Sequence, residues 1–377
     1  MTEASVLFDI LPAAGGTKIG LARLNRPKAL NSLNLEMCQL LTQTLLRWQA
    51  DPEIVLLVLQ GEGDRAFCAG GDLMGMYRSM QAHPEKDAWA NTYLRDFFAS
   101  EYRLDYLLHT YGKPVLAMGD GVVMGGGVGL FMGASHRVVS ESLRFAMPEV
   151  AIGLFPDVAG SWMLGRLPRH IGRFLGMTGV TLEAADTLTF GLADFLLPTE
   201  QQTELYRQLQ QCRWSGDQGH DHEQLSRILY ALSTPASATG PLQHHANLLR
   251  RALATGSFPD ICRRLLALEN HEDEWLRKAV AGLKHGSPTS VRLAYTLQER
   301  ARHLSLAEVF RMEYIVALQC GANADLQEGI RALLVDKDHA PRWSPASLEQ
   351  VDESSVQRYF VPPWPDGTVH PLADLDA

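Results

Sequence analysis

Two kinds of residue in this chain could do chemistry together: glycines that bare backbone N–H groups, and acids set among apolar neighbours. Gly125, Gly126 and Gly127 fall between two apolar runs in KPVLAMGDGVVMGGGVGLFMG. Such a turn leaves N–H groups exposed at the start of a helix and attracts negative charge. A second glycine-rich loop, GEGDRAFCAGGDL, also enters a helix and adds a second set of candidate oxyanion donors. Glu149 sits in FAMPEVAIGLF with almost no polar company, so its carboxylate must either reach water or have a use. Taken singly, the glycines read as a tight turn and Glu149 as an exposed loop residue after Pro148. Taken together they suggest acyl chemistry, in which fixed donors stabilise the charge that develops on a carbonyl oxygen. Asp157 follows Pro156 and precedes the apolar segment VAGSWMLGRL, and reads either as the N-cap of that helix or as a direct part of the site.

Other chemistries find less support. His220 with His222, and His244 with His245, invite a metal reading, but they fall in polar stretches expected to be loops, with no carboxylate at ligand spacing, and no metal is expected. Ser161 in AGSWM lacks the GxSxG elbow of a serine hydrolase. Neither a Walker nor a GxGxxG fingerprint is present. The five cysteines (Cys38, Cys68, Cys212, Cys262, Cys320) are scattered and without CxxC spacing, which reads as a reducing compartment rather than a disulfide framework. A net charge of −9 argues against a nucleic-acid or membrane-surface binder, while leaving room for a local basic pocket. No apolar run reaches spanning length, and MTEASVLFDI has neither a basic n-region nor an apolar h-region, so a cytoplasmic location is expected.

The elements that must hold these residues can be read in order. Two short strands, Val6–Leu11 and Lys18–Leu24, flank AAGG as a hairpin. Asn31 or Asn34 can cap a helix running through Trp48, and Ile54–Gln60 is a continuous apolar run expected of a strand buried on both faces. A polar loop at 81–89, a helix Asn91–His109 and strands Val115–Met118 and Arg137–Ser140 follow, an alternation that predicts an α/β layered fold. With 377 residues the chain is long enough for one large core and an appended unit. The expected division is a core at 1–200, a helical insertion at 201–285, a C-terminal helical region at 286–343 and a polar tail at 344–377. Helices are predicted at Glu204–Gln211, Glu223–Leu232, Leu248–Leu253, Ile261–Leu268, Ser287–Arg300, Ser305–Leu318 and Asp325–Leu334.

The runs RPKALNSL, AFCAGGDL and KPVLAMGDGVVMGGGVGL resemble the crotonase (enoyl-CoA hydratase/isomerase) superfamily. FAMPEVAIGLFPDVAGSWMLGRL, SPTS and LQEGIRALLVDKDHAPRW resemble its 3-hydroxyisobutyryl-CoA hydrolase branch. The resemblance covers about residues 5 to 200 and 285 to 350. It implies a ClpP/crotonase-type spiral of ββα units with a C-terminal helical region, and a CoA-thioester hydrolase of valine breakdown. It also implies an acyl-CoA substrate, with CoA as part of the substrate and no separate cofactor, and leaves homo-oligomer formation open.

Residue by residue, the resemblance makes the backbone N–H groups of Gly71 and Gly126 the oxyanion donors, with Gly70 and Gly125 beside the substrate. It makes Glu149 the reacting carboxylate, and puts Asp157 and Glu101, the latter in FFASEYRL, near the acyl end and the substrate hydroxyl. Arg26 and Lys28, flanking Pro27, become contacts for the CoA phosphates, or else two solvated surface charges. One departure is informative: hydratases of the family carry a second acid two residues beyond the glycine triplet, where this chain has Gly129. A hydratase or isomerase using Glu149 alone, or a non-catalytic binding protein on the same fold, are the competing readings.

Overall fold

The computed structural model describes residues 4–85, 87–236 and 238–376; Met1–Glu3, part of the stretch read for a leader, and residue 86 of the 81–89 loop lie outside the described residues. Strands β1 (Val6–Pro12) and β2 (Lys18–Leu24) pair antiparallel around Gly15 and Gly16, both at the positive φ that a tight hairpin requires. Among the described residues seven more strands follow: β3 (Ile54–Gly61), β4 (Ala66–Cys68), β5 (Val115–Gly119), β6 (Val122–Met124), β7 (His136–Val139), β8 (Arg144–Ala146) and β9 (Phe195–Leu196). They form a six-stranded sheet ordered β1-β2-β3-β5-β7-β9 and a three-stranded sheet ordered β4-β6-β8. The larger sheet is parallel from β2 onward, and β3 lies inside it with six consecutive buried residues, as its unbroken apolar run predicts.

One step is repeated along the chain. A strand of the large sheet (β3, β5, β7) is followed by a short strand of the small sheet (β4, β6, β8), and the chain then enters a helix or helical turn. After β4 this is α2 (Leu73–Ala82), which α3 (Thr92–His109) follows; after β6 it is α4 (Gly126–Gly133); after β8 it is a 3₁₀ turn, Glu149–Ile152. This is the ββα spiral. The exits from the three short strands carry Gly70–Gly71, Gly125–Gly126 and Glu149, so the candidate residues occupy equivalent stations of the repeat.

The chain divides into two compact units that are interleaved in sequence: 1–71, 103–145 and 182–243 make the first, and 72–102, 146–181 and 244–377 the second. This differs from the expected core at 1–200 with a separate insertion at 201–285. Helices Gln202–Gln211 and Gln218–Leu232 place Leu205, Leu209, Leu225, Ile228 and Leu229 in one hydrophobic cluster with Ile19, Leu56, Val58 and Leu116 of the large sheet. They are part of the first unit's core, a role that polar loops such as SGDQGHDHE conceal.

The second unit is mostly helical. Its terminal stretch from Ser344, polar in composition, buries Val351, Val356, Tyr359 and Leu372, and Arg311 donates to the carbonyls of Leu372 and Ala373. Among the described residues no helix is long and apolar enough to cross a membrane.

Candidate active site

In the first unit the two glycine turns meet. Gly70 has φ of +108° and Gly125 has φ of +53°, so both turns use backbone conformations that suit glycine. A Cβ on Gly70 would lie 3.3 Å from the Met124 carbonyl oxygen and 3.5 Å from the Gly126 nitrogen. A Cβ on Gly127 would lie 2.2 Å from the Cys68 carbonyl oxygen, which is why the first turn of α4 can press onto the end of β4. Gly125 is the N-cap of α4 and offers no side chain, leaving Gly126 as the first helical residue with no intrahelical acceptor for its N–H. Leu33 bridges to Gly71, and its N–H donates to the Gly70 carbonyl at 2.8 Å, which fixes that peptide. Among the described residues neither the Gly71 nor the Gly126 N–H donates to another backbone group. The arrangement is two backbone donors held by backbone contacts, suited to an oxyanion.

In the second unit the acids are assembled. Glu101 lies on α3, whose N-cap Asn91 accepts from Leu94 N–H. Glu149 opens its 3₁₀ turn, which closes on Gly153 at φ +82°. Asp157 accepts a hydrogen bond from the Tyr102 hydroxyl at 2.8 Å. Glu101, Glu149 and Asp157 are 2%, 4% and 4% exposed, and a fourth acid, Glu313, is 0% exposed. One carboxylate oxygen of Glu101 and one of Glu149 have no hydrogen-bond partner among the described residues. Two carboxylates, then, are buried with acceptors unused.

Burial dominates the electrostatics of all four acids. It pushes the Glu149 carboxyl well above the usual range, with Asp157, Glu101 and Glu313 adding like-charge repulsion. Glu101 is raised well above its usual value by burial and by Asp157. Burial raises Asp157 to about 7 against the Tyr102 hydrogen bond, which pulls it down. Glu313 rises to about 8, again through burial, opposed by hydrogen bonds from Ser161 and Ala159. Among the described residues no cation offsets any of the four, so burial and mutual repulsion favour their neutral forms.

Of the two readings of Asp157, the structure excludes the helix cap. Helix α5 (Gly160–Arg166) has Ala159 as its N-cap, and the side chain serving its first turn is Glu313, which accepts from Ala159 N–H at 2.8 Å and Ser161 N–H at 2.9 Å. Asp157 is therefore bonded to Tyr102 and is not the cap. Arg26 turns its guanidinium onto the Ser32 carbonyl at 2.6 Å, while Lys28 is exposed on a short 3₁₀ turn. The histidines correct the reading of polar loops: His220 and His222 lie within the helix Gln218–Leu232, and His245 lies within Pro241–Leu253. His245 does have a carboxylate partner, Asp273 at 2.8 Å, supplied from 28 residues away in sequence rather than at local spacing. Among the described residues no group of three or more potential ligands could hold a metal ion.

Tyr102 and Glu313 were not singled out in the sequence. Glu313 carried a usable signal, since it stands as a lone acid in the apolar run FRMEYIVALQC, the same conflict that marks Glu149. Tyr102 carried none, because one more aromatic on the buried stripe of α3 looks like core.

Residues 19–360 match the family described as Enoyl-CoA hydratase/isomerase. The chain is 36% identical over 94% of its length to the "3-hydroxyisobutyryl-CoA hydrolase, mitochondrial" of Gallus gallus, covering 88% of that protein. It is 34% identical over 91% of its length to the "3-hydroxyisobutyryl-CoA hydrolase 1" of Arabidopsis thaliana, covering 89% of it. Among solved structures, a carnitinyl-CoA dehydratase from Mycobacterium thermoresistibile superposes with a TM-score of 0.84 at 32% identity, with 99% of each chain covered. An enoyl-CoA hydratase from Rhodobacter sphaeroides 2.4.1 superposes with a TM-score of 0.80 at 32% identity, covering 95% of this chain and 98% of that one. With the ββα repeat, the paired glycine turns and these relatives in hand, the chain belongs to the enoyl-CoA hydratase/isomerase family and has the crotonase fold.

Proposed function

We propose that the protein hydrolyses a CoA thioester, 3-hydroxyisobutyryl-CoA being the substrate most consistent with its relatives' names, as a step of valine breakdown. The observation that carries this reading is Glu149: buried, with one oxygen unpartnered, in a cluster of other buried acids. Gly129, where the resemblance places the second acid of a hydratase, has no side chain to offer. In its ionised form Glu149 attacks the thioester carbonyl carbon, the carbonyl oxygen takes up the negative charge, and collapse of the adduct breaks C–S and releases CoA as a thiolate. Water then cleaves the mixed anhydride and restores the carboxylate. The alternative route has Glu149 take the proton of an attacking water directly.

Backbone donors of the Gly71 and Gly126 kind stabilise the oxygen in either route, and losing one such donor raises a barrier by about 3 kcal/mol. Asp157, raised to about 7, can carry a proton at neutral pH and supply it to the departing thiolate. Glu101 is a candidate for the substrate's hydroxyl. Arg26 and Lys28 are retained as phosphate contacts, a role that K28A should reveal as a raised KM with unchanged kcat. We place the enzyme in the cytoplasm, whereas the chicken relative is named mitochondrial; fractionation of the source cells against compartment markers decides between the two.

The test is a thiol reagent with 3-hydroxyisobutyryl-CoA. Free CoA should appear in proportion to enzyme, and E149Q should lower the rate on the order of 10³-fold or more while retaining CoA binding. The similarity to a dehydratase and a hydratase keeps a second reading in play, which the same experiment separates. Rapid loss of enoyl absorbance from crotonyl-CoA without thiol release would overturn hydrolysis and establish hydration.

A further inference from the structure

We propose that Glu313 is a positioning residue for Asp157: its carboxylate holds the left-handed turn Val158–Ala159 and thereby sets the Asp157 carboxyl against the Tyr102 hydroxyl. This inference rests on the hydrolase reading for its kinetic consequence, though its structural content is independent of it.

The turn is unusual for its residue types. Val158 has φ of +49° and Ala159 of +64°, two consecutive non-glycine residues in the left-handed region. The left-handed region is unfavourable for any residue with a Cβ, and the bulk of a β-branched valine makes it still less favourable. A glycine would adopt it freely, so the chain keeps a strained turn that something must hold. The Asp157 carbonyl accepts from Gly160 N–H at 2.6 Å, which closes the turn locally but leaves the Ala159 and Ser161 N–H groups pointing onward.

Glu313 answers both. Its two oxygens accept from Ala159 N–H at 2.8 Å and Ser161 N–H at 2.9 Å, a two-pronged contact in a fully buried place where an unmet donor is costly. Ser161 and Ala159 lie on either side of the start of α5, so the same side chain also serves N–H groups of that helix's first turn. One turn earlier on the same helix, Leu306–Ala322, the Phe310 ring packs against Tyr102 with centroids 5.6 Å apart. A single helix thus supports both sides of the Tyr102–Asp157 hydrogen bond, the donor through Phe310 and the acceptor through Glu313.

The experiment uses the full-length protein and five variants: E313A, E313Q, D157N, E313A with A159G, and E313A with D157N. Displacing a reacting group by about 1 Å can reduce rate on the order of 10²-fold, so E313A should lower kcat by about that factor. E313Q keeps the volume and one acceptor and should fall between the two; it also carries the test if E313A does not fold. Adding A159G, which removes the strain at one of the two positions, should recover kcat about tenfold. In the D157N background E313A should lower kcat less than threefold, because a residue acting through Asp157 has nothing left to position.

The proposal is overturned if folded E313A keeps kcat within threefold of wild type. It is equally overturned if A159G restores thermal stability but not kcat, or if the E313A and D157N losses multiply, as they would for a purely structural residue. A crystal structure of E313A or E313Q separates this failure from failure of the hydrolase reading. Loss of the left-handed turn and of the Tyr102–Asp157 contact supports the positioning role even in a protein that releases no thiol, and an unchanged turn refutes it even in one that does.

Discussion

At the scale of the residue, the acid cluster sets function against stability. A carboxyl whose folded-state pKa is raised binds more protons folded than unfolded across the interval between the two values, so stability falls as pH rises through that interval. For Asp157 the interval runs from its ordinary 3.8 to about 7. Asp157 should therefore cost the wild type stability between about pH 4 and pH 7, a share of the loss that D157N, which cannot titrate at that position and can still accept from Tyr102, should not show. Thermal melts at pH 4.5 and pH 8 check this: the Tm advantage of D157N should be absent at the lower pH and several degrees at the higher, with turnover reduced but measurable at both. An equal Tm difference at both pH values would mean that Asp157 does not carry the raised value. On the proposed mechanism Glu149, also raised, must ionise to react, so kcat/KM of the wild type should climb with pH as that carboxyl loses its proton. Much of this was legible as local conflict, since an acid in FAMPEVAIGLF contradicts its surroundings. What could not be read was partnership: nothing in sequence ties Glu313 to Ala159 across 154 residues.

At the scale of the element, the turn bearing Glu149 is held by backbone rather than by side chains. A Cβ on Gly329 would lie 2.4 Å from the carbonyl carbon of Ile152, and one on Gly153 would lie 2.3 Å from that of Asp325, so helix Ala324–Ile330 seats directly on the turn. Ser287 N–H donates to the Val150 carbonyl at 2.8 Å from another side. G329A should then push the turn aside, lowering stability by roughly 1–3 kcal/mol and kcat more than KM. Urea denaturation and steady-state kinetics together check it, and a stable, fully active G329A would mean the seat is not needed. The elements themselves were readable where caps and periodicity agree: Asn34 accepts from Met37 N–H at the start of α1 (Leu35–Ala50), as its position before an apolar stripe suggests. They were misread where a helix begins in polar residues. SGDQGHDHE looks like a loop, yet Asp217 caps the helix Gln218–Leu232 by accepting from His220 N–H, and only Leu225, Ile228 and Leu229 further along betray the buried face.

At the scale of the whole molecule, the repeat is legible and the division is not. The three passages from large sheet to small sheet each end in a marked residue, which is why motifs spread over a hundred residues could be recognised as one architecture. The units, however, are made of separated segments, and the chain passes from one to the other five times. Neither unit's sequence is contiguous, so neither can complete its core as an independent length of chain. Unfolding should accordingly be one cooperative event, with calorimetric and van't Hoff enthalpies equal and coincident midpoints by circular dichroism and tryptophan fluorescence. Two resolved transitions would show that the segments are less dependent on each other than this division implies. The support of the Asp157 turn by Glu313 has a consequence in time as well as in space. A ribosome makes Glu101, Glu149 and Asp157 long before it makes the helix Leu306–Ala322, so a growing chain that has emerged only as far as Arg311 has these three acids without the residue that bonds the turn after Asp157. With the positioning role proposed for Glu313, full activity would be conferred late in synthesis, and a nascent chain would meet a CoA ester as an unfinished catalyst.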